Sequence, residues 1–353
     1  MQPKIAISVN KFARAGGMES YMLDLVRGFH ESGQKVSVYA GDFDTTLSAY
    51  QQINPKQVPT KRIPKKLRRL LFDWAYQRLS HENEQLISHN LVEKSAIMIC
   101  GGTHIGYLKA MGQSSTLMDK WTIEKERRVY QTAKYVMAHS KLMQAELVQY
   151  YDVDEQKIHV IYPPADTNRF KLVEGENREA IRKQFGFDES ETVFLFPSTG
   201  HKRKGLDLLA DFFENTTLPV KLAVAGSPLP RPMKNVLELG FCTDMPMLYR
   251  AVDYTIMASL YEPFGLVGVE SILSGTPVVL SSNMACTEVI NANAGLFFSR
   301  DDGKTLSHAI ERAVTLKNEG KSKLTEPFSA LAFDPHLNTH MQEVQRLLQQ
   351  LPL

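Results

Sequence analysis

KIAISVNKFARAGGMESYMLDLVRGFHESGQKVSVYA, residues 4–40, reads as strand, glycine loop, helix and strand. Met22, Leu25, Val26 and Phe29 recur at helical spacing, so 19–32 has one apolar face, and Gly33 stands where a helix closes on a left-handed residue. Apolar runs at 4–9 and 35–40 flank that helix. A connection of this length joins parallel neighbours, which makes the segment a βαβ unit.

Outward from it, strand-like runs at 95–100, 135–138 and 159–161 alternate with helical stretches around 120–132 and 141–151. Pro163-Pro164 breaks the chain, and a second series opens with 193–197, 221–225, 254–257 and 277–280. Strands alternating with helices in both halves imply two doubly wound α/β domains, 1–165 and 166–335, joined near 162–170. The remaining segment, 336–353, carries Met341, Val344, Leu347 and Leu348 on one helical face. It is expected either to pack across the domain junction or to be an ordinary terminal helix.

Composition agrees with two cores. A chain of 353 residues exceeds the roughly 250–300 residues at which a single core stops growing. Hydrophobic residues at 43% and charged residues at 23% exclude a disordered or fibrous chain. Cys100, Cys242 and Cys286 lie far apart without a CxxC pair, so neither a disulfide framework nor a metal site is expected, and a reducing cytoplasm is the simplest setting. The N-terminal apolar run is too short for a signal peptide, and no stretch reaches the roughly 18 apolar residues of a membrane span, so any membrane role should be peripheral. The net charge of +2 conceals an asymmetry: residues 1–165 hold 22 Lys and Arg against 16 Asp and Glu.

Chemistry is concentrated in two stretches of the second half. Tyr261-Glu262-Pro263-Phe264-Gly265-Leu266-Val267-Gly268-Val269-Glu270 places two glutamates eight positions apart around a glycine turn that enters a helix. Free amides and the positive end of the helix dipole then point at one place, which favours a diphosphate. Ser198-Thr199-Gly200-His201-Lys202-Arg203-Lys204-Gly205 follows the strand at 193–197 and brings cations to a loop of the same kind. Two glutamates at a helix start and a basic loop would, taken singly, be ordinary solvated residues.

Together these motifs resemble glycosyltransferase family 4, retaining enzymes of the GT-B fold whose E-x7-E signature is followed, as here in Gly275-Thr276-Pro277-Val278-Val279, by a glycine and a strand. The likeness is strong over 158–298 and patchy before that. It implies two Rossmann-like domains facing across a cleft, with the acceptor on the first and the nucleotide sugar on the second. It further implies that Glu262 contacts hydroxyls of the donor sugar, that Glu270 accepts from the ribose, and that Lys204, with Arg203 beside it, neutralises the diphosphate in place of a metal ion. Many members carry an arginine earlier in that loop, where this chain has Ser198-Thr199-Gly200.

In the family, the positions of Phe241 and Cys242 are where the base is held, and the resemblance implies that Phe264, Gly265, Leu266 and Val267 line the donor side. The Gly16-Gly17 loop is similar to one that approaches the donor phosphate or the acceptor. His104, in Cys100-Gly101-Gly102-Thr103-His104, occupies the place of a residue facing the anomeric carbon. Residues 162–170, ending in Arg169-Phe170, resemble the interdomain hinge.

KQVPTKRIPKKLRR, residues 56–69, has seven basic residues, among them Lys61, Arg62, Lys65, Lys66, Arg68 and Arg69, and no acid, and Leu70-Leu71-Phe72 and Trp74 follow. Such a run suits an anionic membrane surface, a phosphorylated acceptor or nucleic acid; as a bare solvated loop it has no partner. Basic residues beside Leu, Phe and Trp favour an interfacial helix. The resulting expectation is a metal-independent hexosyltransferase that moves a glucose or N-acetylglucosamine type sugar, with retention, from a nucleoside-diphosphate donor, UDP-linked, to a lipid-linked or lipopolysaccharide-core saccharide. Its place is the inner face of the cytoplasmic membrane, and nucleic acid is no partner. The rivals are a GT-B sugar-nucleotide epimerase and a non-catalytic nucleic-acid-binding protein using 56–69.

Overall fold

A computed structural model describes residues 4–14, 16–61, 63–64, 67–79 and 84–351. The chain divides into two compact units, Met1–Pro164 with Pro335–Leu353, and Ala165–Asp334. Each boundary falls one residue before the expected one, and the terminal segment belongs to the first unit.

The first unit runs β1 (Lys4–Val9), α1 (Gly17–Glu31), β2 (Ser37–Ala40), β3 (Asn54–Gln57), α2 (Arg68–Tyr76), β4 (Glu84–Ser88), β5 (Ile97–Cys100), α3 (His104–Ala110), α4 (Leu117–Thr132), β6 (Tyr135–Ala138), α5 (Lys141–Tyr151) and β7 (Ile158–Val160). Its seven strands are ordered β3-β2-β1-β4-β5-β6-β7 and pair in parallel. Central strands such as β2 and β5 are buried along their whole length, as a sheet covered on both faces requires.

The second unit contains α6 (Arg178–Gln184), β8 (Thr192–Ser198), α7 (His201–Lys204), α8 (Leu206–Asn215), β9 (Val220–Gly226), β10 (Val236–Gly240), α9 (Met245–Ala251), β11 (Tyr254–Met257), α10 (Leu266–Leu273), β12 (Val278–Ser281), β13 (Gly295–Phe298) and α11 (Gly303–Asn318). Its parallel sheet is ordered β10-β9-β8-β11-β12-β13. The order reverses between β8 and β11, which are neighbours through Tyr254 and Phe194. Connections leaving such a pair diverge, so a crevice opens beyond their carboxyl ends. The loops at that point are 199–205 and 258–265, the two stretches singled out in the sequence.

The terminal helix α12 (Leu337–Gln349) buries Met341, Val344, Leu347 and Leu348 in one core with Met22, Leu25, Val26 and Phe29 of α1. A buried polar tie fixes it further. His340 Nδ1 faces the Tyr162 carbonyl at 2.9 Å, so this nitrogen donates and Nε2 accepts from the Tyr21 hydroxyl at 2.7 Å. The Tyr21 ring also packs on His139 and His89, whose centroids lie 4.5 and 5.4 Å away.

Burial lowers the proton affinity of all three histidines, His340 to about 4, His89 to about 3 and His139 well below its ordinary value. The unfolded chain therefore takes up protons first as pH falls below 6.5. The histidines' contribution is present above that value and is lost as pH falls below it, down to about 4 for His340 and about 3 for His89, by up to about 1.4 kcal/mol per pH unit for each ring. The midpoint of thermal unfolding should drop by several degrees between pH 7 and pH 5. A flat midpoint over that range would contradict the neutral cluster.

Candidate active site

Ser198 ends β8 and its hydroxyl lies 2.9 Å from His201 Nδ1, while His201 Nε2 reaches the carbonyls of Ser227 and Pro228 at 3.1 and 3.0 Å. His201 thereby ties the 199–205 loop to the segment after β9. The single turn of α7 closes at Gly205, whose φ of +82° is left-handed. A Cβ at this position would also collide with the Ala258 carbonyl and the Arg300 guanidinium, so only glycine lets the two loops come this close. Arg300 donates to that same carbonyl.

The loops are joined through backbone and charge. Leu260 N donates to the Arg203 carbonyl at 2.8 Å, and Arg203 Nη1 donates to the Tyr261 carbonyl at 2.7 Å and to Glu262 Oε2 at 3.1 Å. Ser259 Oγ lies 3.4 Å from the same carboxylate oxygen, and Asn283 Nδ2 donates to the Ser259 and Leu260 carbonyls. Arg203 thus braces Glu262 in addition to the expected diphosphate role. Lys204 Nζ donates to the Pro197 carbonyl at 3.0 Å; burial lowers its proton affinity, and the charges of Glu262 and Glu270 oppose that shift.

Gly265, at φ +101°, begins α10 without a side-chain cap. A Cβ there would lie 3.0 Å from Glu262 Cγ and 3.2 Å from Met284 Cε. The first amides of a helix have no acceptor within it, so the start of α10, at Leu266 and Val267, offers donors to an anion. Phe264 turns its ring inward against Phe333 and is buried, so the expected donor contact cannot come from an exposed ring at this position. One turn into α10, Glu270 Oε2 accepts from the Tyr249 hydroxyl at 3.2 Å. Burial pushes the Glu270 carboxyl up to about 6, against the hydrogen bond from Tyr249 and the charges of Arg169 and Lys204.

Phe241, directly after β10, is 79% exposed, and Cys242 beside it is partly buried. Lys204, Arg203, Glu262 and Glu270 are therefore brought together at the β8–β11 reversal. Tyr249, Ser259, Asn283 and Arg300 complete the arrangement, and no local sequence motif marks them. Among the described residues no group of three or more His, Cys, Asp or Glu is arranged to hold a metal ion.

Other expected residues lie in the first unit. His104 starts α3, where Thr103 caps the helix, and its Nε2 is 2.7 Å from Asp119 Oδ1. The bonds from Thr116 and from His104 hold the Asp119 carboxyl at about 2. Gly16 N donates to Glu19 Oε2, and a Cβ on Gly17 would meet nothing within 4 Å, so the chain itself imposes no need for glycine at 17.

The basic run differs from expectation. It begins as the edge strand β3 and ends in α2, where Phe72, Ala75 and Tyr76 turn into a core with Ala6, Tyr39 and Leu86. Phe72 is thus unavailable to an interface, because the sheet claims that face of the helix. Arg68 donates to the Ile63 and Lys61 carbonyls and Lys61 pairs with Asp42 at 3.3 Å. Arg62, Lys65, Lys66 and the side chain of Arg69 lie outside the described residues.

The family model for Glycosyltransferase Family 4 matches residues 15–169, and that for Glycosyl transferases group 1 matches 177–326. A probable transglycosylase of Burkholderia thailandensis is 39% identical over 345 residues, covering 96% of this chain and 95% of the relative. The chain belongs to glycosyltransferase family 4. Two solved structures share its GT-B fold. WaaG, a glycosyltransferase involved in lipopolysaccharide biosynthesis, superposes with a TM-score of 0.75 at 17% identity over 99% of this chain and 96% of its own. HepE of Anabaena, in complex with UDP and glucose, gives 0.76 at 18% identity over 99% and 100%. The protein is thus a glycosyltransferase of two Rossmann-like domains.

Proposed function

We propose that this glycosyltransferase transfers a hexose of glucose or N-acetylglucosamine type from a UDP-linked donor to a hydroxyl of the lipopolysaccharide core, with retention and without a metal ion. The observation that carries the donor half is the meeting of Lys204, Arg203 and the start of α10 with Glu262 and Glu270 in one crevice. Cations and helix amides suit a diphosphate, and paired carboxylates suit sugar hydroxyls. HepE, with UDP and glucose bound, supports the choice of donor, and WaaG that of acceptor. Retention rests on the E-x7-E resemblance.

In the reaction the bond from the anomeric carbon to the diphosphate oxygen breaks and a bond to the acceptor oxygen forms, while the acceptor's proton leaves with the nucleoside diphosphate. Lys204 stabilises charge building on the leaving group, the part a metal ion plays elsewhere. The family resemblance alone gives His104 a part on the sugar side; its ring is held by Asp119. A thermal-shift screen of UDP, GDP, ADP and CMP sugars tests this reading. UDP sugars should raise the unfolding midpoint by several degrees, since about a hundredfold excess over Kd adds about 2.7 kcal/mol; no shift with any of them would remove the donor assignment.

The same reading places the enzyme on the inner face of the cytoplasmic membrane. Its support is a set of exposed apolar residues on α2 and α4: Trp74, Leu117, Met118 and Trp121, with Leu117 86% exposed. Trp74 follows Asp73 and Trp121 precedes Lys125 by about one helical turn; the Lys125–Asp73 ion pair joins the two helices at 2.6 Å, and Arg78 lies over the Trp74 ring. Tryptophan and nearby cations suit a headgroup layer. The Trp74→Ser/Trp121→Ser variant should lose at least about fivefold in co-sedimentation with anionic vesicles; equal pelleting of variant and wild type would end the membrane proposal.

A further inference from the structure

Tyr249 is fully buried in α9, and its backbone carbonyl accepts from Thr276 Oγ1 at 2.7 Å. Its hydroxyl donates to Glu270 Oε2, and Glu270 Oε1 has no hydrogen-bond partner among the described residues. The ring packs edge-on against Phe170, with centroids 5.9 Å apart. The residue before Phe170 reaches the loop after β10: Arg169 Nη2 donates to the Thr243 carbonyl at 3.2 Å, beside Cys242 and the exposed Phe241. A turn closes the dipeptide, with Phe170 N donating to the Asp166 carbonyl at 2.8 Å. Adjacent residues of the segment that opens the second unit thus contact the support of Glu270 on one side and the loop after β10 on the other.

We propose that Tyr249 is a positioning residue for Glu270, holding one carboxylate oxygen so that the other faces the donor, and that Arg169-Phe170 braces this pair against the loop carrying Phe241. The inference rests on the donor reading above. A carboxylate can accept from two ribose hydroxyls, whereas a carboxylic acid gives up one acceptor site to its proton. The groups facing Glu270 are Tyr249 from α9, Arg169 and Asp166 from the opening segment, and Lys204 from α7; Tyr249, Arg169 and Lys204 favour the ionised form, and Asp166 opposes them. Burial is the largest influence and favours the neutral form. Loss of the Tyr249 hydroxyl removes one support of the charge and leaves the ring packing in place.

The test is calorimetric titration of UDP into the wild-type chain and Tyr249→Phe from pH 5 to pH 8, with donor KM and kcat measured alongside. Acid weakening of binding should set in about one pH unit higher in the variant, because a hydrogen bond to a charged group is of that size. At neutral pH the donor KM should rise about five- to tenfold while kcat at saturating donor changes by less than about twofold, as for a lost ground-state contact. Titration of UDP itself is common to both curves and cancels in the comparison. Arg169→Gln should move the acid limb in the same direction, and its unfolding midpoint without UDP should stay within a few degrees of wild type. Coincident pH curves for wild type and Tyr249→Phe would overturn this inference alone. A wild type that binds no UDP at any pH would overturn the donor reading and this inference with it.

Discussion

Lys204→Met is expected to reduce transfer by about 10²- to 10³-fold, the range found when one preorganised charge-stabilising donor is removed from an active site. Among the described residues Lys204 Nζ donates to the Pro197 carbonyl, and its charge interacts with Glu262 and Glu270. An ammonium held partly out of water costs stability, so its replacement by an apolar side chain of similar length should leave the unfolding midpoint unchanged or raised. Loss of activity with retained stability separates a group that serves the leaving diphosphate from one that holds the loop. Initial rates with a UDP sugar and a melting curve settle it; undiminished rates in the variant would remove Lys204 from the chemistry.

Glu262→Ala should be at least as damaging to transfer, by about 10³-fold or more. The carboxylate receives Arg203 Nη1 and Ser259 Oγ on Oε2, so one face of it is fixed by the protein. Its side chain is 17% exposed and that of Arg203 34%, and a pair so placed contributes within about 1 kcal/mol. Unfolding should therefore barely change. Arg203→Met is the informative companion, because it leaves Glu262 present but unbraced. If Glu262 contacts the sugar directly, Arg203→Met will retain more activity than Glu262→Ala. Because Arg203 also faces the proposed diphosphate, the double variant completes the comparison: a Glu262→Ala loss that vanishes in the Arg203→Met background would mean that the carboxylate acts only by holding the arginine.

How far the site can be read from sequence depends on where each contact comes from. β1, β6, α5 and β11 coincide with runs whose spacing is plain, since a buried parallel strand or an amphipathic helix repeats its pattern within a few residues. β3 was hidden because Asn54–Gln57 is an exposed edge strand of polar residues that contains a proline, and only its neighbour β2 makes it a strand. The basic run reads as one piece because charge is conspicuous in a sequence, while the inward face of α2 is set by the sheet beneath it. Glu262 and Lys204 could be found by motif, each lying directly after a strand of the β8–β11 pair. Tyr249, Asn283 and Arg300 could not. They reach the crevice from 21 to 42 residues away in sequence, through contacts that follow from strand order and leave no local signature.

The direct test of a shared diphosphate site is calorimetry with UDP and UMP on the wild-type chain and on Lys204→Met. If Lys204 and the start of α10 grip the same pyrophosphate, the wild type should bind UDP at least about tenfold more tightly than UMP, a difference of about 1.4 kcal/mol, and the variant should lose most of that preference. Equal affinity for the two nucleotides in the wild type, or an undiminished preference in the variant, would contradict it.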